Sequence, residues 1–241
     1  MASVTLQNYY DIVIAGDSIS RGVVYSEEKN KYVISDVNYV NLLKNNIKGT
    51  VKNIAKFGNT LLKGIDTLKR YLSKDKPDIV VIEFGGNDCD FDWEEIAKNP
   101  YDEHRPKTDF YIFKEKLKEL IKSLDDANII PVLMTLPPLD ADRYFKWISK
   151  NSEEMGKNIL KWLGSVTKIY WWQEKYNSAI LSIAEETKTR LIDIRSAFLD
   201  YPDFRQFICA DGIHPNEKGH KIIAHKIYEY LQRNYTYLLK E

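Results

Sequence analysis

Short apolar runs alternate with helical stripes five times along this chain. That order constrains the fold more than any other feature. The clearest run is 78–84, where Ile79, Val80, Val81 and Ile82 follow one another without a polar break. Similar runs occupy 10–15, 51–55, 128–136 and 191–194. Short, β-branched and apolar throughout, such runs suit strands buried on both faces of a parallel sheet. Between them lie stripes at helical spacing: Val40, Leu43 and Ile47; Leu61, Leu62, Ile65, Leu68 and Leu72; Phe113, Leu117, Leu120 and Leu124; Ile169, Tyr176, Ile180 and Ile183; Ile223, Ile227 and Leu231. Ser35 or Asp36 is placed to cap the first of these helices. The alternation predicts an α/β fold, with right-handed crossovers placing helices on both faces of about five parallel strands.

Three segments depart from the alternation. Residues 21–32 are polar and read as loop. Residues 90–107 are acidic, aromatic and irregular, suiting a surface loop or short helix. About 139–166 is too long for an ordinary connection and reads as an insertion with short helices of its own. Pro131, inside the fourth run, implies that this strand joins the sheet late or with a local kink. With no repeat or linker, residues 1–241 are expected to form a single domain.

Lys plus Arg and Asp plus Glu each number 35, so the formal net charge is zero. A nucleic-acid binder needs a basic surplus, so that class is disfavoured. Residues 1–8 lack the basic start and apolar centre of a signal peptide, so a cytoplasmic location is expected. No apolar run reaches the length of a membrane span. Cys89 and Cys209 are too few for a disulfide framework and read as small reduced core residues. No His, Asp or Glu cluster has metal-ligand spacing, and neither a metal nor a cofactor is expected.

Three polar stretches sit where apolar runs or loops end: Gly16-Asp17-Ser18, Gly85-Gly86-Asn87-Asp88 and Asp211-Gly212-Ile213-His214-Pro215. In open α/β sheets, chemistry gathers at such ends. A serine hydroxyl needs a base, and the base needs a group to orient it. Ser18, His214 and Asp211 can fill those roles, since three residues of separation let one turn join carboxylate and imidazole. The Ser18 N–H, the Gly58 N–H and the Asn87 amide are candidate oxyanion donors. Each has a plainer reading. Ser18 can cap a helix, Gly58 can serve only its backbone angles, and Asn87 and Asp88 can be turn residues. Asp88 is taken as structural. His104, His220 and His225 lack such context and read as surface residues. Reading 16–22 as a phosphate loop leaves Asn87, Asp211 and His214 without roles.

These blocks resemble, in order, those of the SGNH hydrolases, also called GDSL lipases and esterases. Gly16-Asp17-Ser18-Ile19-Ser20, Gly58, Gly85-Gly86-Asn87-Asp88 and Asp211-Gly212-Ile213-His214-Pro215 carry the likeness. Ile19 stands where the family name has leucine. The resemblance covers 10 to about 235 outside the insertion and implies a flavodoxin-like three-layer α/β/α sandwich. It implies Ser18 as nucleophile, His214 as base, Asp211 as orienting acid, and an oxyanion hole from Ser18, Gly58 and Asn87.

The expected activity is hydrolysis of short acyl or O-acetyl esters, including those of carbohydrates. The alternatives are a lysophospholipase or thioesterase taking longer acyl chains, and a non-catalytic binding module. The expected partner is a small-molecule ester, with a homo-oligomer left open. Asp17, Trp147 and Trp162 are candidates for substrate contact. Four of the five tryptophans, Trp147, Trp162, Trp171 and Trp172, fall close together. They suit either an aromatic lid or packing of the insertion, and Trp172 lies on a helix stripe.

Overall fold

The computed structural model describes residues 9–240, so the expectation about a signal peptide at 1–8 lies outside the described residues. Five parallel strands form the central sheet: β1 (Tyr10–Gly16), β4 (Gly49–Asn53), β5 (Ile79–Glu83), β6 (Ile130–Met134) and β7 (Arg190–Ile192). Their spatial order is β4-β1-β5-β6-β7. Side chains alternate across the sheet as a two-residue period requires. Ile12, Ile14, Val132 and Met134 face one core, with Tyr39, Phe198, Ile223 and Ile227. Val13, Val80, Ile82 and Leu133 face the other, with Leu68, Phe113, Leu117 and Ile180. Both faces are thus covered, which is why the central strands β1, β5 and β6 read as largely apolar runs, while the edge strand β4, Gly-Thr-Val-Lys-Asn, is partly exposed.

The first core is roofed by α2 (Tyr39–Lys44), α9 (Ile194–Leu199) and α10 (Glu217–Asn234). The second is roofed by α3 (Leu61–Leu72), α5 (Phe110–Asp126) and α8 (Thr167–Thr187). The three-layer α/β/α sandwich and its flavodoxin-like strand order are as expected. Pro131 enters the ladder without disturbing it. Ile130 N–H donates to the Asp78 carbonyl on the β5 side, so position 131 faces β7, whose pairing starts one residue later at Val132. The proline removes no ladder bond.

Four local expectations change. Residues 21–32 are not a loop throughout, because β2 (Val23–Ser26) and β3 (Lys31–Ile34) form an antiparallel ribbon. It pairs Tyr25 with Tyr32 across a tight turn that holds Asn30 at φ 47°. The cap of α2 is Asn38, which accepts from Asn41 N–H. Ser35 instead donates to Glu217 and accepts from Val37 N–H. Ile194 opens α9, because Asp193 ends β7 by accepting from Ser196 N–H. Residues 90–107 are not only surface. Their helix α4 (Trp93–Lys98) buries Phe91, Trp93 and Ile96. These pack on the insertion helices α6 (Ala141–Ile148) and α7 (Glu153–Leu163) in a third apolar cluster. Among the described residues, no helix is long and apolar enough to cross a membrane.

Candidate active site

The strand order reverses at β1, between β4 and β5, and a crevice opens there beyond the carboxyl ends of the strands. Ser18 lies at that point. Asp17 ends β1 and caps the single-turn helix α1 (Ser18–Arg21) by accepting from Ile19 N–H at 2.9 Å. The turn after β4 supplies Gly58, at φ 71°. A side chain would find open space there, so the backbone angle, not crowding, favours glycine. The turn after β5 supplies Asn87, whose amide donates to Asp17 Oδ2 at 3.0 Å. Among the described residues, neither the Ser18 nor the Gly58 N–H finds an acceptor within the protein.

The remote partner comes from the loop before α10. Asp211 Oδ1 accepts from the N–H groups of Ile213 and His214, which folds the loop into a tight turn. That leaves Oδ2 for His214 Nδ1–H, at 2.5 Å. With Nδ1 donating, Nε2 is the acceptor, and the Ser18 hydroxyl donates to it at 2.8 Å. Residues 196 apart in sequence therefore meet in one relay. Burial works to raise the Asp211 carboxyl. The hydrogen bond and charge of His214, with the two N–H groups, outweigh it and hold the group below its ordinary value. Asp211 stays ionised, and an imidazolium formed on His214 would meet a full negative charge.

The insertion braces this loop. Gly212, at φ 82°, passes so close to α6 that a Cβ would fall 2.5 Å from Tyr144 N. Its carbonyl accepts from Asp140 N–H at 2.8 Å. Arg143 pairs with Asp140 and donates to the carbonyls of Arg205 and Ile208. Sequence reading missed Asp140 and Arg143, whose partners are distant along the chain.

An open cleft of about 610 Å³ lies over Ser18. One wall is aromatic and borders His214. The Tyr32 ring lies 5.2 Å from the imidazole, edge-on, and the Phe57 ring stacks at 6.1 Å. Trp147 packs on Tyr25 at 4.6 Å and on Tyr32 at 6.0 Å. The rest of the lining mixes Leu139, Ile169, Trp172 and Ile213 with Asp90, Lys107 and Gln173.

Trp147 lines the cleft. Trp162 is not itself in the lining and packs behind it on Phe91, Trp93 and His104, the packing alternative for the insertion. Asp17 borders the cleft but is only 1% exposed, and both its oxygens are engaged by Ile19 and Asn87. Positioning, not substrate contact, is what its geometry offers. Asp88 is structural, accepting from Leu61 N–H at the start of α3. His220 is not at the surface. It is fully buried, stacked on Tyr39, and neither ring nitrogen has a partner. His225 is exposed beside Glu229, and His104 meets the Asn99 carbonyl. Cys89 and Cys209 are buried free thiols.

Fold and relay together define an α/β/α protein with a Ser-His-Asp site at a topological switch point. Residues 14–222 match the GDSL-like lipase/acylhydrolase family, and the chain belongs to that family. A rice (Oryza sativa subsp. japonica) protein, GDSL esterase/lipase WDL1, is 23% identical over 157 residues, covering 65% of this chain and 54% of the rice protein. The chain therefore spans about half the length of that relative. Among solved structures, the lipase/acylhydrolase of Enterococcus faecalis superposes with a TM-score of 0.64 at 22% identity, covering 95% of this chain and 96% of that one. A catalytic mutant of Axe2, an acetylxylan esterase from Geobacillus stearothermophilus, gives 0.62 at 19% identity, with coverage of 96% and 97%.

Proposed function

We propose that the protein hydrolyses carboxylic esters through an acyl-enzyme on Ser18. The observation that carries this reading is the unbroken line from Ser18 Oγ to His214 Nε2 to Asp211 Oδ2, at 2.8 and 2.5 Å. His214 takes the hydroxyl proton as Oγ bonds to the carbonyl carbon. The oxyanion then faces the Ser18 and Gly58 N–H groups and the second N–H of Asn87. Collapse expels the alcohol, which takes its proton from His214. A water activated by the same nitrogen then releases the acid and restores Ser18.

The alcohol must leave beside the imidazole that protonates it. Tyr32, Phe57 and Trp147 therefore border the alcohol half of the substrate. Flat, partly exposed rings suit the apolar face of a sugar, and O-acetyl groups on carbohydrates are the substrate class we favour. The acetylxylan esterase of similar fold supports that choice. A second reading, longer acyl chains as in lysophospholipids or thioesters, is supported by the apolar lining at Leu139, Ile169 and Ile213. A panel of acetylated sugars and acyl esters of rising length separates the two.

Ser18→Ala should abolish p-nitrophenyl acetate turnover and labelling by a fluorophosphonate probe. Full activity in that variant would reject the assignment. A wild type that neither turns over nor is labelled would favour a binding module.

A further inference from the structure

Beneath Ser18 lies a buried polar chain that the relay does not use. The Glu83 side chain, at the end of β5, is wholly buried, and Glu83 pairs with Gly16 across the sheet. Its Oε2 accepts from Ser20 Oγ at 2.7 Å, and Ser20 in turn meets Tyr39 Oη at 2.7 Å. Its other oxygen, Oε1, finds no conventional donor. The Asp17 carboxyl, equally buried, is its neighbour, and the two charges act on each other.

Two neighbouring carboxylates in a dry setting repel, and a proton on one of them lets it donate to the other. Asp17 already accepts from two N–H groups, Ile19 and Asn87. Burial raises the Asp17 carboxyl too, but donors of that kind and the charge of His214 work against it. Glu83 accepts one hydroxyl and has an oxygen to spare, so the proton belongs on Oε1. Burial, and then the Asp17 charge, push Glu83 well above the ordinary carboxylate range. The titratable groups around the pair are Tyr39 from α2, His214 and Asp88. His220, from α10, stacks behind Tyr39. None of them carries a fixed positive charge that could keep Glu83 ionised.

We propose that Glu83 is a neutral hydrogen-bond donor that fixes Asp17, and through it both the Ser18 turn and the Asn87 amide. Glu83 touches no reacting atom, so it is a positioning residue. Asp17 is the branch point: Oδ1 sets the start of α1, where the Ser18 N–H points out, and Oδ2 sets the Asn87 amide. One proton on Glu83 would therefore align two of the three oxyanion donors. This inference rests on the ester-hydrolase reading above.

The test compares Glu83→Gln with Glu83→Ala. Glutamine cannot ionise, yet it keeps an N–H donor toward Asp17 and an oxygen toward Ser20. It should keep kcat within about threefold of wild type. Alanine should lower kcat about 10²-fold, the usual cost of a small displacement in a reacting site, with KM little changed. If glutamine loses as much as alanine, or if a folded Glu83→Ala protein keeps wild-type kcat, the proposal falls. Infrared spectroscopy supplies a readout independent of turnover. At about pH 8, where Asp88 is ionised, wild type should show a protonated carboxyl band that Glu83→Gln lacks. A band that persists in Glu83→Gln, or that wild type lacks, overturns the proposal. Wild type without esterase activity but with the band would sink the ester-hydrolase reading alone.

Discussion

Two neighbouring parts of the Ser18 cleft are held in different ways. In the first, Asp211 and His214 are fixed by directed hydrogen bonds and are almost fully buried. In the second, Tyr32, Phe57 and Trp147 meet by ring packing, and Phe57 is 56% exposed. Directed bonds in a dry setting hold atoms to fractions of an ångström, which proton transfer requires. Ring packing tolerates small shifts, which suits gripping a substrate. The rate should therefore depend on the first part and the preference among substrates on the second.

The sharpest way to break this contrast is to remove the relay. Ser18→Ala and His214→Ala should each lower kcat about 10⁴-fold or more on p-nitrophenyl acetate, and the double variant should cost little beyond either one. Additive losses would show that the two residues do not work as a unit. Next in size is Asn87→Ala, expected to lower kcat by about 10²–10³ with KM nearly unchanged. A change confined to KM would remove Asn87 from the oxyanion site.

A contrast between two histidines comes third. His214 has Asp211, whereas His220, six residues on, has no partner. Burial holds His220 down at about 4, so it stays neutral in the fold while the unfolded chain takes up a proton below about pH 6.5. Its contribution to stability is full above about pH 6.5 and is lost as the pH falls toward about 4, by roughly 3 kcal/mol. Asp88, pushed up by burial to about 6, acts in the opposite sense over part of that range. Comparing wild type with His220→Phe by denaturant titration cancels the Asp88 contribution. The stability difference between the two should shift by that amount between about pH 7 and pH 4. A constant difference would mean that His220 titrates normally.

The smallest effect belongs to the aromatic wall. Trp147→Ala should raise KM for an acetylated sugar about tenfold while leaving p-nitrophenyl acetate nearly untouched, the loss of one stacked ring. An equal loss on both substrates would place Trp147 in the chemistry rather than in recognition.

Much of this site was legible because its parts are local. Asp211 and His214 lie three apart, and one turn brings them together. The apolar run 78–84 and the polar turn after it announced a buried strand with Asn87 at its end. The misreadings have two causes. The ribbon of β2 and β3 has only four residues on each side, and Arg21, Glu27, Glu28, Lys29 and Lys31 concealed the Val-Val-Tyr and Tyr-Val-Ile runs. Yet that ribbon brings Tyr32 to His214. Trp162 and His220 were misplaced because their neighbours come from remote segments: Phe91 and Trp93 for the first, Tyr39 for the second.

From the order of residues alone came the alternating layers, the positions of the three polar stretches, and the roles proposed for Ser18, Asp211 and His214. Periodicity and short-range turn geometry act between neighbours, so they leave a trace in the linear pattern. Only the folded chain decided that Glu83 lies against Asp17, that Arg143 ties α6 to the His214 loop, and which aromatic rings line the cleft. Those contacts join groups 60 or more residues apart, such as Glu83 to Ser20 and Arg143 to Arg205. Burial and distance, which set their protonation and strength, exist only once the layers have closed.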